Sequence, residues 1–247
     1  MKVIYILWLR ELKKYSRSPA QIVASLAQPT MYLLILGFGL SPVFQRSGQG
    51  SYLQFMAPGV IGMSILFTSI FSGIGLLWDR QFGFLKETLV APVSRLQIMT
   101  GRTLGGASVA LIQGTLVLTI TLLAGFRPSV TAVPIAIAFM ILISIVFAAL
   151  GTTIGSSLKI MQGFQLIMNF MVMPIFFLSG ALFPLSNLPR GLEIATRLDP
   201  LSYGIDGLRG ALLDASHFGI LIDFSVLGVV AVVFLGLGAY AFSKIQV

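Results

Sequence analysis

Long apolar runs alternate with short polar intervals along this chain, and the runs have the length of a bilayer crossing. They lie at about 22–44, 55–77, 104–126, 134–157, 164–183 and 222–243. A helix needs roughly 20 apolar residues to cross about 30 Å of hydrocarbon, so each run reads as one span. Gln28-Pro29-Thr30 sits early in the first run and predicts a kink there. The second is rich in Ser and Gly. The third begins with Gly105-Gly106. The fourth holds Gly151-Thr152-Thr153-Ile154-Gly155, a small-xxx-small spacing that lets two helices approach closely. Only Lys159 marks the turn into the fifth, which contains Asn169 and Pro174. The expected fold is all-α and integral to a membrane, with six spans in a single transmembrane domain over 1–247.

Three segments break this rhythm. Residues 2–18 are periodic: Ile4, Trp8, Leu12 and Tyr15 share one side of a helix, and Arg10, Lys13, Lys14 and Arg17 share the other. Such a helix lies in the membrane interface with its basic side on anionic headgroups, and Ser18-Pro19 ends it. Between the fifth and sixth runs, 184–221 holds two short apolar-periodic pieces, about 188–198 and 201–213, split by Asp199-Pro200. Two short helices that dip into the interface fit it better than a free loop. The third segment is the polar interval 78–103, with Asp79, Arg80, Lys86, Glu87, Arg95 and Arg102. Within it, Phe84–Ala91 predicts a short helix between Gly83 and Pro92. Leu85 and Leu89 give that helix an apolar face that no span is near enough to cover. This suits a groove on a soluble partner, or an interfacial anchor for the loop.

Composition sharpens the class. Only 10% of the 247 residues are charged, against about 25% in soluble domains. The formal charge of +8 comes from basic residues at span ends, not from a patch with stackable aromatics, so nucleic acid is not the expected partner. Eleven Lys and Arg fall on the side of the N-terminus and five on the other, which predicts both termini in the cytoplasm. The interval 78–103 is then cytoplasmic and 184–221 lies outside. Cysteine is absent, so there is no disulfide or thiol chemistry. No signal peptide is expected.

The chemistry that is missing matters as much. There is no phosphate-binding Gly-x-x-x-x-Gly-Lys-[Ser/Thr] loop, no His-Glu-x-x-His and no Gly-x-Ser-x-Gly elbow. The single His217 falls in the outer loop and reads as a solvated residue. No ionisable residue lies in the middle of a span, where a self-powered transporter would need one. Any work done in the membrane must therefore be supplied from outside it. Gln28, Gln113, Gln165 and Asn169 place amides within spans, where they contact a substrate or, more commonly, bond a neighbouring helix.

Asp79-Arg80-Gln81-Phe82-Gly83, then Leu85, then Leu89-Val90-Ala91-Pro92-Val93-Ser94-Arg95, resembles the cytoplasmic signature of type-2 ATP-binding-cassette exporter permeases. Phe177-Leu178-Ser179-Gly180, with Phe183-Pro184 and Leu188-Pro189, resembles that family's motif at the end of the fifth span. Asp199-Pro200-Leu201-Ser202-Tyr203 and Asp206-x-x-Arg209-Gly210 resemble its outer loop. The close run of Phe-Gly-x-Leu and Pro-Val-Ser is more similar to the drug- and antibiotic-resistance branch than to the polysaccharide branch. The resemblance implies a permease subunit of an ATP-driven exporter in the cell membrane. It would pair with a second, identical permease subunit and with two copies of an ATPase subunit. Hydrolysis, with ATP and magnesium, would then belong to the partner, and this chain would be no enzyme and need no cofactor. It also implies that Phe82, Gly83, Leu85, Lys86, Glu87, Leu89 and Pro92 form the coupling helix seated in the ATPase. Arg10, Lys13, Lys14 and Arg17 would meet the inner leaflet. Gln28, Gln165 and Asn169, with Phe38, Phe71 and Phe177, are by residue type the candidates to line the path of an amphipathic, drug-like or lipid-like substrate, although a Phe in a span more commonly faces lipid or packs against a helix. Two other readings stay open at this point: export of a lipid-linked glycan, and a non-transporting anchor or assembly factor.

Overall fold

A computed structural model describes residues 2–46, 51–84, 93–158, 160–186 and 188–244. The described residues contain no strand, and six helices are long and apolar enough to cross a membrane. These spans, numbered 1 to 6, are Pro19–Phe38, Tyr52–Gln81, Arg95–Leu123, Val133–Ser157, Met161–Leu178 and Ile220–Ser243. An interfacial helix, Lys2–Ser16, precedes them. Two further helices, Arg190–Leu198 and Pro200–Leu213, join spans 5 and 6 as a hairpin. The protein is an all-α integral membrane protein, as the apolar runs predict.

Several boundaries differ from the apolar runs, because hydrophobicity marks the length a membrane covers while caps and glycines mark where a helix stops. The polar interval 78–103 is helical at both ends. Span 2 continues to Gln81 and ends at Gly83, whose φ is +82°. Span 3 starts at Arg95, where the Ser94 side chain accepts the Gln97 amide at 3.3 Å. Lys86, Glu87 and the rest of the expected short helix beyond Phe84 lie outside the described residues, as does Lys159. Span 1 begins at Pro19 and ends at Phe38, six residues before the apolar run does. Pro42 then opens the separate helix Ser41–Arg46. Span 5 ends at Leu178, because Gly180 adopts φ +73°. The two prolines inside spans 1 and 5 each sit beside a widened π turn, Leu33–Phe38 after Pro29 and Met168–Val172 before Pro174. A proline lacks the N–H and crowds the carbonyl four residues back, and in span 5 the widened turn lies where Pro174 creates that mismatch.

Spans 2 and 4 form the centre. Span 2 jogs at Ser72-Gly73, between Tyr52–Phe71 and Ile74–Gln81. Gly151 and Gly155 of span 4 meet it there, as their spacing predicts. A methyl group on Gly151 would lie 2.6 Å from the Ile70 carbonyl oxygen, and one on Gly155 would strike Gly73. Thr103 of span 3 donates to Thr152 of span 4 at 3.2 Å, which adds a polar tie between neighbours.

The hairpin does not rest on the ends of the spans. Its second helix is inserted between spans 2, 4 and 6, with Leu201, Ile205 and Leu208 fully buried. Ile205 packs on Gly62 of span 2, and Ile143 of span 4 packs on Gly204. Both contacts are about 15 Å in from the near ends of spans 2 and 4, at the α-helical rise. The hairpin therefore re-enters among the spans, tip first. The tip is self-capped: Asp199 accepts the Leu201 amide at 2.9 Å and the Ser202 hydroxyl at 3.3 Å. Arg209 fastens the outgoing helix by donating to the Gly180 carbonyl at 2.9 Å, with its guanidinium 4.2 Å from the Phe55 ring centre.

The close contact of spans 2 and 4 makes a test. Gly151→Ala forces backbone apart and is expected to destabilise the protein by about 1–3 kcal/mol. Gly228→Ala in span 6 meets nothing within 4 Å and is expected to be neutral or slightly stabilising. Thermal unfolding of the two variants in detergent, followed by size exclusion, reads the difference.

Candidate functional site at the basic end

The end of the molecule that carries the interfacial helix is organised by one acid. Asp79, on the last turns of span 2, is 7% exposed. It accepts both contacts of Arg10 Nη2, at 2.6 and 2.9 Å, and a short hydrogen bond from Arg102 Nη2. Arg10 belongs to the interfacial helix and Arg102 to the start of span 3. The next residue, Arg80, reaches the Leu158 carbonyl at the end of span 4. Four elements are thus tied together one turn before Gly83. Trp78 and Phe82 stack beside the tie with ring centres 5.5 Å apart.

Glycines let the interfacial helix lie close along span 3. Gly101 faces Ile4 and Leu7, and Gly105 faces the Glu11 side chain. Trp8 donates to Ser108 Oγ at 2.9 Å, and Tyr15 donates to Gln113 Oε1 at 2.5 Å. Burial holds the Tyr15 phenol above its ordinary pKa, so it remains a neutral donor. The Gln113 amide, fully buried, bonds a neighbouring helix rather than facing a path.

A cavity of about 660 Å3 opens beside this base. Its walls come from the interfacial helix (Glu11, Lys14, Tyr15), span 1, span 2 and span 3 (Gly106, Val109). Span 1 presents Gln21, Ser25 and Gln28, which follow one helical face. Span 2 presents Ser64, Thr68 and Ser72 on another face, with Phe67, Phe71, Trp78 and Phe82 around them. One end of the cavity is charged and aromatic, and the rest is lined by hydroxyls and amides set among rings and aliphatic side chains such as Met63, Ile74 and Val109.

The residues singled out in the sequence divide into groups. Gln28, Phe71, Phe82 and Lys14 come together at this cavity. Gly83 stands at its edge of the chain, and Leu85, Lys86, Glu87, Leu89 and Pro92 lie outside the described residues. Lys13 and Arg17 are exposed on the interfacial helix. Arg10 is turned to Asp79 instead of to headgroups, because a buried carboxylate attracts it more strongly than a screened surface does. Phe38, Gln165, Asn169 and Phe177 are exposed and belong to none of the cavity walls. Gln165 and Asn169 flank the buried stripe Phe164, Met168, Val172 and Phe176 of span 5. The Arg102 contact was not anticipated. Its signal was an arginine at the head of an apolar run with an aspartate at the tail of the one before.

Removing one partner from a buried ion pair leaves an uncompensated charge and costs about 3–5 kcal/mol. Asp79→Ala strands Arg102, which is 6% exposed, and is expected to lose stability of that order. Arg10→Ala removes a partner that is 41% exposed and is expected to cost about 1 kcal/mol or less. Unfolding midpoints of the two variants in detergent check the ranking.

Comparison with known proteins agrees with this architecture. The chain matches the family described as ABC-2 type transporter over residues 2–213. It is 32% identical over 201 residues to the putative transport permease ycf38 of Pyropia yezoensis, covering 78% of this chain and 68% of that one. It is 29% identical over 236 residues to nodulation protein J of Sinorhizobium fredii, covering 94% and 90%. It is 28% identical over 235 residues to the inner membrane transport permease YadH of Escherichia coli K12, covering 92% and 90%. With six spans, an interfacial helix and a family match over most of its length, this chain belongs to the ABC-2 type transporter family and is a transport permease.

Proposed function

We propose that this chain is the membrane subunit of an ATP-driven exporter, moving an amphipathic, drug-like or lipid-like molecule out of the cytoplasm or the inner leaflet. The observation that carries the reading is the Asp79 tie. The ionisable residues of the described spans cluster at span ends: Asp79 and Arg102 are spent on holding helices together, and Asp223, in the first turn of span 6, is buried near Asp206 of the hairpin. Among the described residues no chain of ionisable groups runs through the middle of the spans, which favours energy supplied by a separate ATPase subunit. The lever is the stretch 83–92, which leaves span 2 directly after the tie. A push there reaches the interfacial helix, span 3 and span 4 at once.

The excess of Lys and Arg at this end supports a cytoplasmic location for both termini and for the lever. The cavity beside it supports uptake from the cytoplasmic side. A second permease subunit is supported by the polar face of span 5. Gln165 and Asn169 are exposed on it, away from the cavity, and amides are costly to leave in lipid. The outward face of span 6 is apolar, with Leu221, Val229, Val232 and Leu237, and suits lipid directly. The reading therefore places an identical subunit against span 5, with Phe177 on the face between the two copies. One ATPase subunit sits under each permease and carries the nucleotide and magnesium.

Leu85→Asp and Glu87→Lys test the lever. A charge placed in, or reversed beside, a helix-in-groove contact is expected to weaken copurification with the ATPase subunit about tenfold or more, or to abolish substrate-stimulated hydrolysis. Folded yield of the permease should not change. Normal copurification and normal coupling in both variants would remove the lever from this mechanism.

A further inference from the structure

The cavity at the basic end has a largely apolar wall crossed by two polar rows that a passage for a wholly apolar drug would not need. Gln21, Ser25 and Gln28 form one row on span 1, and Ser64, Thr68 and Ser72 form a second row on span 2. Both rows face the same space. Polar groups on membrane helices usually turn to a neighbouring helix, since lipid offers them nothing. Here two rows turn instead to an open volume of about 660 Å3, within the range of roughly 300–1,000 Å3 typical of small-molecule sites. Gln21, Gln28 and Phe71 are exposed, so the space is open between spans.

The hydrogen-bonding character of the lining is specific. Ser25 donates to the Ile22 carbonyl at 2.9 Å, Ser64 to Ile61 at 3.1 Å, and Ser72 to Ser69 at 2.6 Å. Their protons are committed to their own helices, which leaves oxygen lone pairs as acceptors. The two glutamine amides offer donors and acceptors together. A head rich in hydroxyl groups, which both donate and accept, matches that set.

The charges of the lining nearly cancel. Glu11 and Lys14 stand on the same helix with opposite signs. Asp79 also borders the cavity, but its charge is taken up by Arg10 and Arg102. An anionic head would find one lysine beside a glutamate. A cationic head would find a carboxylate already bridged. At the mouth, the stacked Trp78 and Phe82 rings provide the amphipathic collar that membrane–water boundaries favour.

We propose that this cavity is a side portal within a single subunit, which takes from the cytoplasmic leaflet the head of an amphiphile that bears hydrogen-bonding groups but no net charge. The head occupies the slot between the rows of spans 1 and 2 while the tail stays in lipid. The proposal rests on the exporter reading for its direction, but the site itself stands without it.

The test uses the permease with its ATPase subunit in lipid nanodiscs. Three photoreactive lipids with the same acyl chains and a diazirine beside the head are compared. They are a glucosyl diacylglycerol, a phosphatidylglycerol and a trimethylammonium-propane lipid. Labelled peptides are mapped by mass spectrometry. The uncharged lipid is expected to label residues 21–29 and 64–75 about tenfold more than either charged one. Gln28→Leu combined with Thr68→Val should reduce that labelling about tenfold, with copurification of the ATPase retained. Lys14→Glu keeps the rows and leaves two acids at the mouth, and should shift the preference to the cationic lipid. Equal labelling by all three heads, or a Lys14→Glu variant with the parent's preference, overturns the proposal. A permease that labels as expected but binds no ATPase subunit would instead overturn the exporter reading and leave the site intact.

Discussion

A carboxylate enclosed by two guanidinium groups holds the base of this protein together. Asp79 ends a long span, and helices from opposite ends of the first hundred residues converge on it. Arg102 would not stay buried alone, and the acid would not stay buried without its arginines. The contact is therefore conditional on all three elements being present at once. It converts an amphipathic surface helix into part of the bundle, and it fixes the last turns of span 2 before the chain breaks at Gly83.

The number of spans and their order were legible, because twenty apolar residues in a row have few physical meanings. Their ends were not. Span 3 begins nine residues before its apolar run, since nothing in a polar, well-capped segment such as Ser94–Gln97 stops a helix outside the membrane. The Gly151 and Gly155 contact was legible as a spacing, but its partner at the Ser72-Gly73 jog was not. The depth of the hairpin was hidden too. Residues 201–213 look like a surface helix until Gly204 and Gly207 are seen as the places where Ile143 and Phe139 fit.

The candidate site was half legible. Lys14, Gln28, Phe71 and Phe82 were each marked by type and position, yet only the fold brings them to one wall. A helical wheel gives the side of a helix and not the direction of a neighbour, which is why Arg10 was assigned to headgroups. Phe38, Gln165, Asn169 and Phe177 share residue types with the cavity but lie on other faces of spans 1 and 5.

The hairpin has a mechanical consequence. Asp199 satisfies the polar groups at the tip from within the hairpin itself, and the sides are apolar against glycine and aliphatic neighbours. Two polar fastenings hold its outgoing helix: Arg209 donates to the Gly180 carbonyl, and Asp206 accepts the His217 and Phe218 amides at the entry to span 6. A body built this way is a stopper with a smooth shank. Shifting it between its neighbours would mean releasing the guanidinium on one side and the carboxylate on the other, while its own backbone stays wound.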